Sequence, residues 1–192
     1  GWLSETPNSG IVGIGGSDNL AAAHDGTDLI PDTYTANIVI SNNDPDENPT
    51  LVPVTLTVLP KPILTYAGYK CYEDNSGNSV GNGSGILQPS ETGDIDLALK
   101  NIGYGTATNV TCQLSSSDTY ISILQNNSNF NNMEESKSYL SLSRYTIQIS
   151  TSSPQDHYAL IHITMNCDGY TYNDTFMLSF GKPTILLVGD DV

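Results

Sequence analysis

The sequence predicts an all-β protein built of antiparallel sandwiches. Apolar and polar residues alternate over short segments, as they do in strands that place one face on a core. Turn-forming residues recur about every ten residues along the chain. Charged residues make up only 14% of the 192 residues. The surface must therefore be formed mainly by Ser, Thr, Asn and Gly, unlike the Lys- and Glu-rich surfaces of helical cytosolic proteins.

The first clear strands lie at residues 33–40 and 52–58. In each strand every second residue is apolar: Tyr34, Ala36, Ile38 and Ile40 in the first, and Val52, Val54, Leu56 and Val58 in the second. A polar turn with two prolines separates them, so we expect a hairpin with one face on a core. Pro53 has no N–H to donate, which predicts an edge strand or a bulge there.

The best domain boundary is Leu59-Pro60-Lys61-Pro62, because paired prolines stiffen a connector and end sheet pairing. It separates residues 1–60 from residues 61–181. In the second part the pattern predicts seven strands, near 63–72, 93–100, 107–115, 119–125, 139–149, 157–167 and 170–180.

The last two strands meet at Asp168-Gly169, the two-residue signal of a type I′ hairpin turn. This turn sets Ile161 opposite Phe176, so the apolar faces of the two strands agree. It also sets Asp174 opposite Ile163. We expect Asp174 to lie at a sheet rim or to be a buried carboxylate with a partner.

Three cysteines, Cys71, Cys112 and Cys167, have neither the spacing of a zinc or redox site nor an even count. One disulfide with a free thiol and three buried thiols are both open. Cys112 and Cys167 are in phase with the apolar residues of their strands, so both should point inward. If any pair is bridged, we expect it to be this one.

Charge excludes two classes of partner. Six basic and 21 acidic residues give a net charge of −15, which repels phosphate backbones and anionic membrane surfaces. No run approaches the roughly 18 apolar residues of a membrane span. We therefore expect no nucleic acid and no membrane insertion. The chain begins at Gly1-Trp2-Leu3 without a methionine, so we expect an internal fragment of a longer exported protein.

Residues 80–91 have the layout of a twelve-residue calcium loop, in which oxygens come from positions 1, 3, 5, 7, 9 and 12 and position 6 is Gly. Gly85 and Glu91 hold positions 6 and 12. The other candidate ligands are Asn82, Ser84, the Ile86 carbonyl and Gln88. Val80 offers no ligand at position 1, and Asp74 and Asn78 could fold back to replace it. A weak calcium site and a plain glycine-rich turn are both open, the turn slightly favoured.

Catalytic patterns are weak. Residues 77–81 match G-x-S-x-G around Ser79, but a nucleophile elbow needs a strand before it and a helix after it, and this match lies in a loop. His24, His157 and His162 are too scattered for a metal cluster, and His162 should face outward. We expect no enzymatic activity in this chain.

Eleven tyrosines are many for this length. Seven of the second part stand out: Tyr66, Tyr69, Tyr72, Tyr104, Tyr120, Tyr170 and Tyr172. Aromatic rings on a flat sheet face can stack on sugar rings. The alternative, which we favour, is that these tyrosines are half-buried strand residues.

The first part carries Trp2-Leu3-Ser4, Pro31-Asp32-Thr33-Tyr34, Asn43-Asp44-Pro45 and Val52-Pro53-Val54-Thr55-Leu56. These segments resemble the immunoglobulin-like sandwich domains, similar to the BACON group, of large secreted bacterial proteins. Such domains have strands before the tryptophan, so the resemblance implies that residues 1–60 are the C-terminal part of a domain.

Residues 61–181 carry Pro89, Glu91 and Leu99-Lys100-Asn101-Ile102-Gly103. They resemble the CARDB and NEW3 types of accessory sandwich, in which a calcium-loop-like segment leads into a strand that ends Leu-Lys-Asn-x-Gly. With the seven-strand pattern, this implies a second immunoglobulin-like sandwich with a calcium-loop-like insertion at 74–91. The chain departs from the pattern at Val80, Ser84, Gln88 and Ser90, which weakens the case for a metal.

Residues 182–192 form an apolar run followed by Asp190 and Asp191. They resemble the first strand of a further α/β domain, and a final sandwich strand or a tail is the alternative.

These resemblances imply a non-catalytic spacer or accessory region of a secreted or cell-surface bacterial multidomain protein, plausibly a peptidase. The alternative is a carbohydrate- or protein-binding adhesion module. The expected partners are other domains of the parent chain, and a polysaccharide or surface protein. Calcium is the one cofactor to consider.

Overall fold

The computed structural model describes residues 1–44 and 46–181, and this part of the chain contains strands and no helix, which confirms the all-β prediction. The chain divides into two compact units between Pro60 and Lys61, inside the proline-rich connector. Residues 182–192, with the predicted start of a further domain, lie outside the described residues.

The first unit has four strands, β1 (Leu3–Thr6), β2 (Ala21–His24), β3 (Asp32–Ile40) and β4 (Thr50–Val58). They form two antiparallel pairs, β1–β2 and β3–β4. The predicted hairpin is confirmed, with Ile38 opposite Val52. Pro53 reduces the stability of this sheet little, because both strands of a two-stranded sheet are edges and a proline without an N–H is tolerated there. Ile38 is the one buried hydrophobic residue among the described residues of this unit. A core of this size is small for an independent domain.

The second unit has nine described strands: β5 (Leu64–Tyr72), β6 (Thr92–Asn101), β7 (Thr111–Ser115), β8 (Ile121–Gln125), β9 (Asn127–Asn129), β10 (Ser138–Leu140), β11 (Tyr145–Ile149), β12 (His157–Cys167) and β13 (Tyr170–Phe180). In one sheet β6 pairs with β5 on one side and with β10 and β11 on the other, and β11 pairs with β8. The other sheet has the order β13-β12-β7-β9. The inward residues of both sheets form one buried cluster, so the unit is a sandwich.

The β12–β13 hairpin has the predicted turn and register. Asp168 and Gly169 have φ values of 45° and 84°, as a type I′ turn requires. Ile163 lies opposite Asp174. The Asp174 carboxylate is half-buried and accepts hydrogen bonds from the Tyr66 amide (2.9 Å) and the Thr65 hydroxyl (3.1 Å). Asp174 therefore ties β13 to β5 of the other sheet.

The predicted strand 139–149 is wrong in one respect, since it is two strands, β10 and β11. Ser128 on β9 explains the break. Its hydroxyl donates to the Ser143 carbonyl (2.9 Å) and accepts from the Ser143 amide (3.1 Å). These bonds hold Ser143 against β9, whereas the Ser141 amide still donates to the Leu97 carbonyl of β6 (2.9 Å). β9 is itself a strand that the sequence pattern does not predict, because its residues are polar.

The cysteines are all free thiols, so the candidate disulfide between Cys112 and Cys167 is not formed. Both side chains are buried, as predicted. Cys112 lies opposite Met165, which places Cys167 on the diagonal. Diagonal neighbours in a sheet lie about 7–8 Å apart, with their Cβ atoms somewhat closer, whereas a disulfide needs Cβ atoms about 3.5–4.5 Å apart.

Asn101 joins three separate segments at the end of β6. Its side chain is 0% exposed. The amide nitrogen donates to the carbonyls of Gly105 (2.7 Å) and Met133 (3.0 Å), and the oxygen accepts from the amides of Ile63 (3.1 Å) and Gly103 (3.0 Å). Every donor and acceptor position of the carboxamide is used.

Gly103 completes this junction because nothing larger fits. A Cβ at this position would lie 2.5 Å from both the Ile63 amide nitrogen and the Lys61 carbonyl oxygen. The Leu-Lys-Asn-x-Gly segment is therefore a structural junction that holds the start of the second unit against the end of β6.

We expect Asn101→Asp to destabilise the second unit by about 3 kcal/mol, because Asp keeps the acceptors but turns an oxygen toward two buried carbonyls. Asn129→Asp makes the same change at an exposed site on β9 and should cost less than about 0.5 kcal/mol. Urea unfolding of the full chain measures both. Equal unfolding midpoints for the two variants would contradict the role given to Asn101.

Candidate functional site

The glycine-rich loop between β5 and β6 contains the predicted metal ligands, and a residue outside the predicted set organises it. Glu73 follows directly on β5, and its side chain is only 2% exposed. The carboxylate accepts hydrogen bonds from the amides of Gly83 (2.6 Å) and Gly85. Both glycines have positive φ, a conformation that a side chain would strain. The loop therefore directs backbone N–H groups at a buried carboxylate of the chain itself.

Glu91, the predicted bidentate ligand, performs a similar task at the other end of the loop. One carboxylate oxygen accepts from the Asn82 amide (3.2 Å) and the other from the Gln88 amide (2.9 Å). The Ser84 hydroxyl donates to the Ile86 carbonyl (3.1 Å). Five predicted ligands, Asn82, Ser84, Ile86, Gln88 and Glu91, thus lie in one hydrogen-bonded loop.

Asp74 and Asn78 do not fold back over this loop, which corrects the expectation that they replace the missing ligand. Asp74 lies in the preceding turn, where its Oδ1 accepts from the amide (3.2 Å) and hydroxyl (2.5 Å) of Ser76. The Ser76 hydroxyl lowers the pKa of Asp74. Asn78 is held by β6, because its amide donates to the buried Asp94 carboxylate (2.8 Å).

Val80 also argues against the calcium alignment. Its backbone forms an antiparallel bridge with Thr92, with both hydrogen bonds at 2.8 Å, and its side chain is 60% exposed. Within the described residues no group of three or more His, Cys, Asp or Glu side chains is placed to hold a metal ion. Calcium takes six to eight oxygen ligands, and here both oxygens of Glu91 and of Glu73 face N–H donors. The residues present do not fit a dedicated calcium site.

The candidate catalytic residues do not contact one another, and Ser79 and His157 each interact with a different neighbour. The Ser79 hydroxyl is buried and donates to the Ser76 carbonyl (2.7 Å). His157 Nε2 lies 2.7 Å from an oxygen of Asp118, and its ring packs against Phe180. His162 faces outward, as predicted. Among the described residues Ser79 has no histidine partner.

The thiols do not offer a nucleophile either. Burial raises the pKa of Cys71 to about 12, and the nearby carboxylates of Glu73 and Asp94 raise it further. Burial raises the pKa of Cys112 to about 11. Reactive cysteines have a lowered pKa, so these thiols are packing residues.

The tyrosines do not form a common platform. Tyr66 and Tyr69 pack on Phe176, with ring centroids 5.1 and 4.9 Å apart, and both contact the buried core. The Tyr172 hydroxyl donates to the Pro62 carbonyl (2.5 Å). Tyr120 and Tyr172 also pack against the core. These four rings are half-buried strand and loop residues, as the favoured alternative predicts.

Tyr72 is different, because two cationic side chains lie over its ring. The Arg144 guanidinium lies 3.9 Å and the Lys70 ammonium 4.6 Å from the ring centroid. Arg144 Nε also lies 3.3 Å from Asp96. The outer face of the β5–β6 sheet is therefore charged, with cations placed beside carboxylates.

Comparison with known proteins adds no assignment: no protein-family model and no curated protein matches this sequence. The resemblance to BACON-like and CARDB- or NEW3-like domains stays a prediction that rests on the residues quoted for it. No described helix has the length and apolar character to span a membrane.

We expect Glu73→Gln to destabilise the loop and the second unit by about 2 kcal/mol. The NH₂ group of the glutamine would face one of the two backbone N–H groups that now donate to the carboxylate, so that this hydrogen bond would be lost. Asp74→Asn is the matched control, since Asp74 is exposed in the neighbouring turn, and it should cost less than about 1 kcal/mol. Thermal unfolding followed by circular dichroism measures both. If Glu73→Gln melts with the parent, the carboxylate is not an anchor of the loop.

Calcium should change the stability of the chain little. At a free concentration ten times Kd a single site would add about 1.4 kcal/mol. We expect no such gain in 1 mM CaCl₂ over EDTA, and none for Val80→Asp, whose carboxylate would face solvent. A calcium-dependent rise in melting temperature that Val80→Asp enlarges would restore the calcium-loop alignment.

Proposed function

We propose that this chain is a non-catalytic accessory region that acts as a spacer in a secreted or cell-surface bacterial multidomain protein such as a peptidase. Its partners are then other domains of the same parent chain. The resemblances of both parts of the sequence and the composition, poor in charged residues and rich in Ser, Thr and Asn, support this.

One observation carries the proposal: in the second unit, polar side chains close the fold instead of lining a site. Glu73, Asp94, Asn101 and Asp174 each accept hydrogen bonds from backbone amides of a neighbouring segment. Catalytic sites instead leave a nucleophile and a base free to meet a substrate. Polar side chains whose hydrogen bonds close the fold are what we expect in a domain with a structural role.

The alternative, a carbohydrate- or protein-binding module that uses the tyrosines, has less support. A stacking platform needs several exposed rings on one face. Tyr66, Tyr69 and Tyr172 instead pack on the interior. A binding role would have to use another surface.

We expect the purified chain to release no product from casein, p-nitrophenyl acetate or soluble xylan above the buffer rate, because no free nucleophile–base pair is present in the described part. Ser79→Ala and His157→Ala provide the controls and should give the same background. Turnover that accompanies the chain through purification and disappears in either variant would contradict a non-catalytic function.

A further inference from the structure

The outer face of the β13-β12-β7-β9 sheet differs from the rest of this acidic protein because it is neutral. Apart from His162, the described outward residues of these four strands are uncharged. The outer face of the other sheet carries Lys70, Asp96 and Arg144. The chain as a whole has a net charge of −15. The absence of carboxylates from one broad sheet face therefore needs a reason.

The centre of this neutral face is built from amides and hydroxyls in register. One row crosses all four strands, with Asn173 opposite Thr164, Thr164 opposite Gln113, and Gln113 opposite Asn127. Neighbouring strands are about 4.8 Å apart, so the row spans roughly 14 Å. Each of these side chains can donate and accept hydrogen bonds.

The next row is built from the same kinds of side chain, amides and hydroxyls. Thr171 lies opposite Asn166, Asn166 opposite Thr111, and Thr111 opposite Asn129. The two rows are two residues apart along the strands, which is about 6.7 Å. The result is a flat array of paired donors and acceptors.

Exposed apolar groups lie at one end of the face. They are Tyr158, Leu160 and Met177, which are 61%, 42% and 51% exposed. Aromatic and apolar groups at such positions can pack on the C–H faces of sugar rings.

Two shallow depressions lie on this surface. One, of about 510 Å³, is lined by Thr164, Asn173 and Thr175, and the other, of about 380 Å³, by Asn166 and Thr171 among others. Two carboxylates border them but are engaged elsewhere. Asp168 accepts from Thr108, and Asp174 from Thr65 and Tyr66.

We propose that this neutral face binds an uncharged polysaccharide. Sugar hydroxyls both donate and accept hydrogen bonds, which matches the amide and hydroxyl rows, and the described residues of the face offer no carboxylate, Lys or Arg to pair with a charged ligand. A protein partner fits less well, because protein interface cores are rich in aromatic residues, Met and Arg. A second copy would also bring another charge of −15 close to the first. This binding role is separate from the spacer role and does not rest on it.

The test is retention of the full chain on insoluble uncharged polysaccharides, namely microcrystalline cellulose, chitin, curdlan and starch, with serum albumin as the background. At least one should deplete the chain from solution. Gln113→Glu places a charge at the centre of the face with no change of shape and should weaken retention at least tenfold. Gln148→Glu is the matched control, because Gln148 is exposed on β11 in the other sheet, and it should leave retention unchanged.

Asn173→Ala removes one amide without adding charge and should weaken retention by a smaller factor. Circular dichroism melts establish that each variant is folded. Retention on none of the four polysaccharides, or equal retention of Gln113→Glu and Gln148→Glu, overturns the proposal. A chain that sediments as a dimer until Gln113→Glu dissociates it would show instead that the face joins two copies.

Discussion

Asn101 holds the second unit together at the point where its backbone leaves regular pairing. Its carboxamide joins the connector at Ile63, the turn at Gly103 and Gly105, and the loop at Met133. Each of these backbone groups would otherwise need another partner inside the protein, and an unpaired buried polar group costs about 1–3 kcal/mol. Asn101 therefore stabilises the closed sandwich at this end by pairing these backbone groups.

The same principle recurs around the molecule with carboxylates in place of the carboxamide. Glu73 holds the glycine-rich loop, and Asp174 joins β13 to β5. The Tyr66 amide lowers the pKa of Asp174, so this bond is made by the charged carboxylate. In the glycine-rich loop the Glu73 carboxylate accepts the N–H groups of Gly83 and Gly85 and so shapes the loop.

The sequence predicts the parts of the fold that depend on local pattern. β12 and β13 have the predicted bounds, because period-two alternation and an Asp-Gly turn both specify them. The break between β10 and β11 could not be predicted in this way. It depends on Ser128, which meets Ser143 only after the two sheets have packed.

The candidate site was harder to predict for the same reason. The calcium-loop alignment compares residue types at fixed positions, but Val80 is fixed by pairing with Thr92 and not by its place in a loop. Glu73 lies just outside the aligned residues. An acidic residue at the end of a strand that leads into a glycine-rich loop is the signal that could have identified it. The neutral face carries no motif, since it exists only when four strands are in register.

Hydrogen exchange tests most directly the claim that the chain's own side chains close its loops. The amides of Gly83, Gly85, Ile63 and Gly103 donate to the side chains of Glu73 and Asn101 and not to a regular strand partner. We expect exchange at least about 100-fold slower than in an unstructured peptide, with the same rates in EDTA and in calcium. Exchange at the unprotected rate, or protection that appears only with calcium, would contradict this structure of the loops.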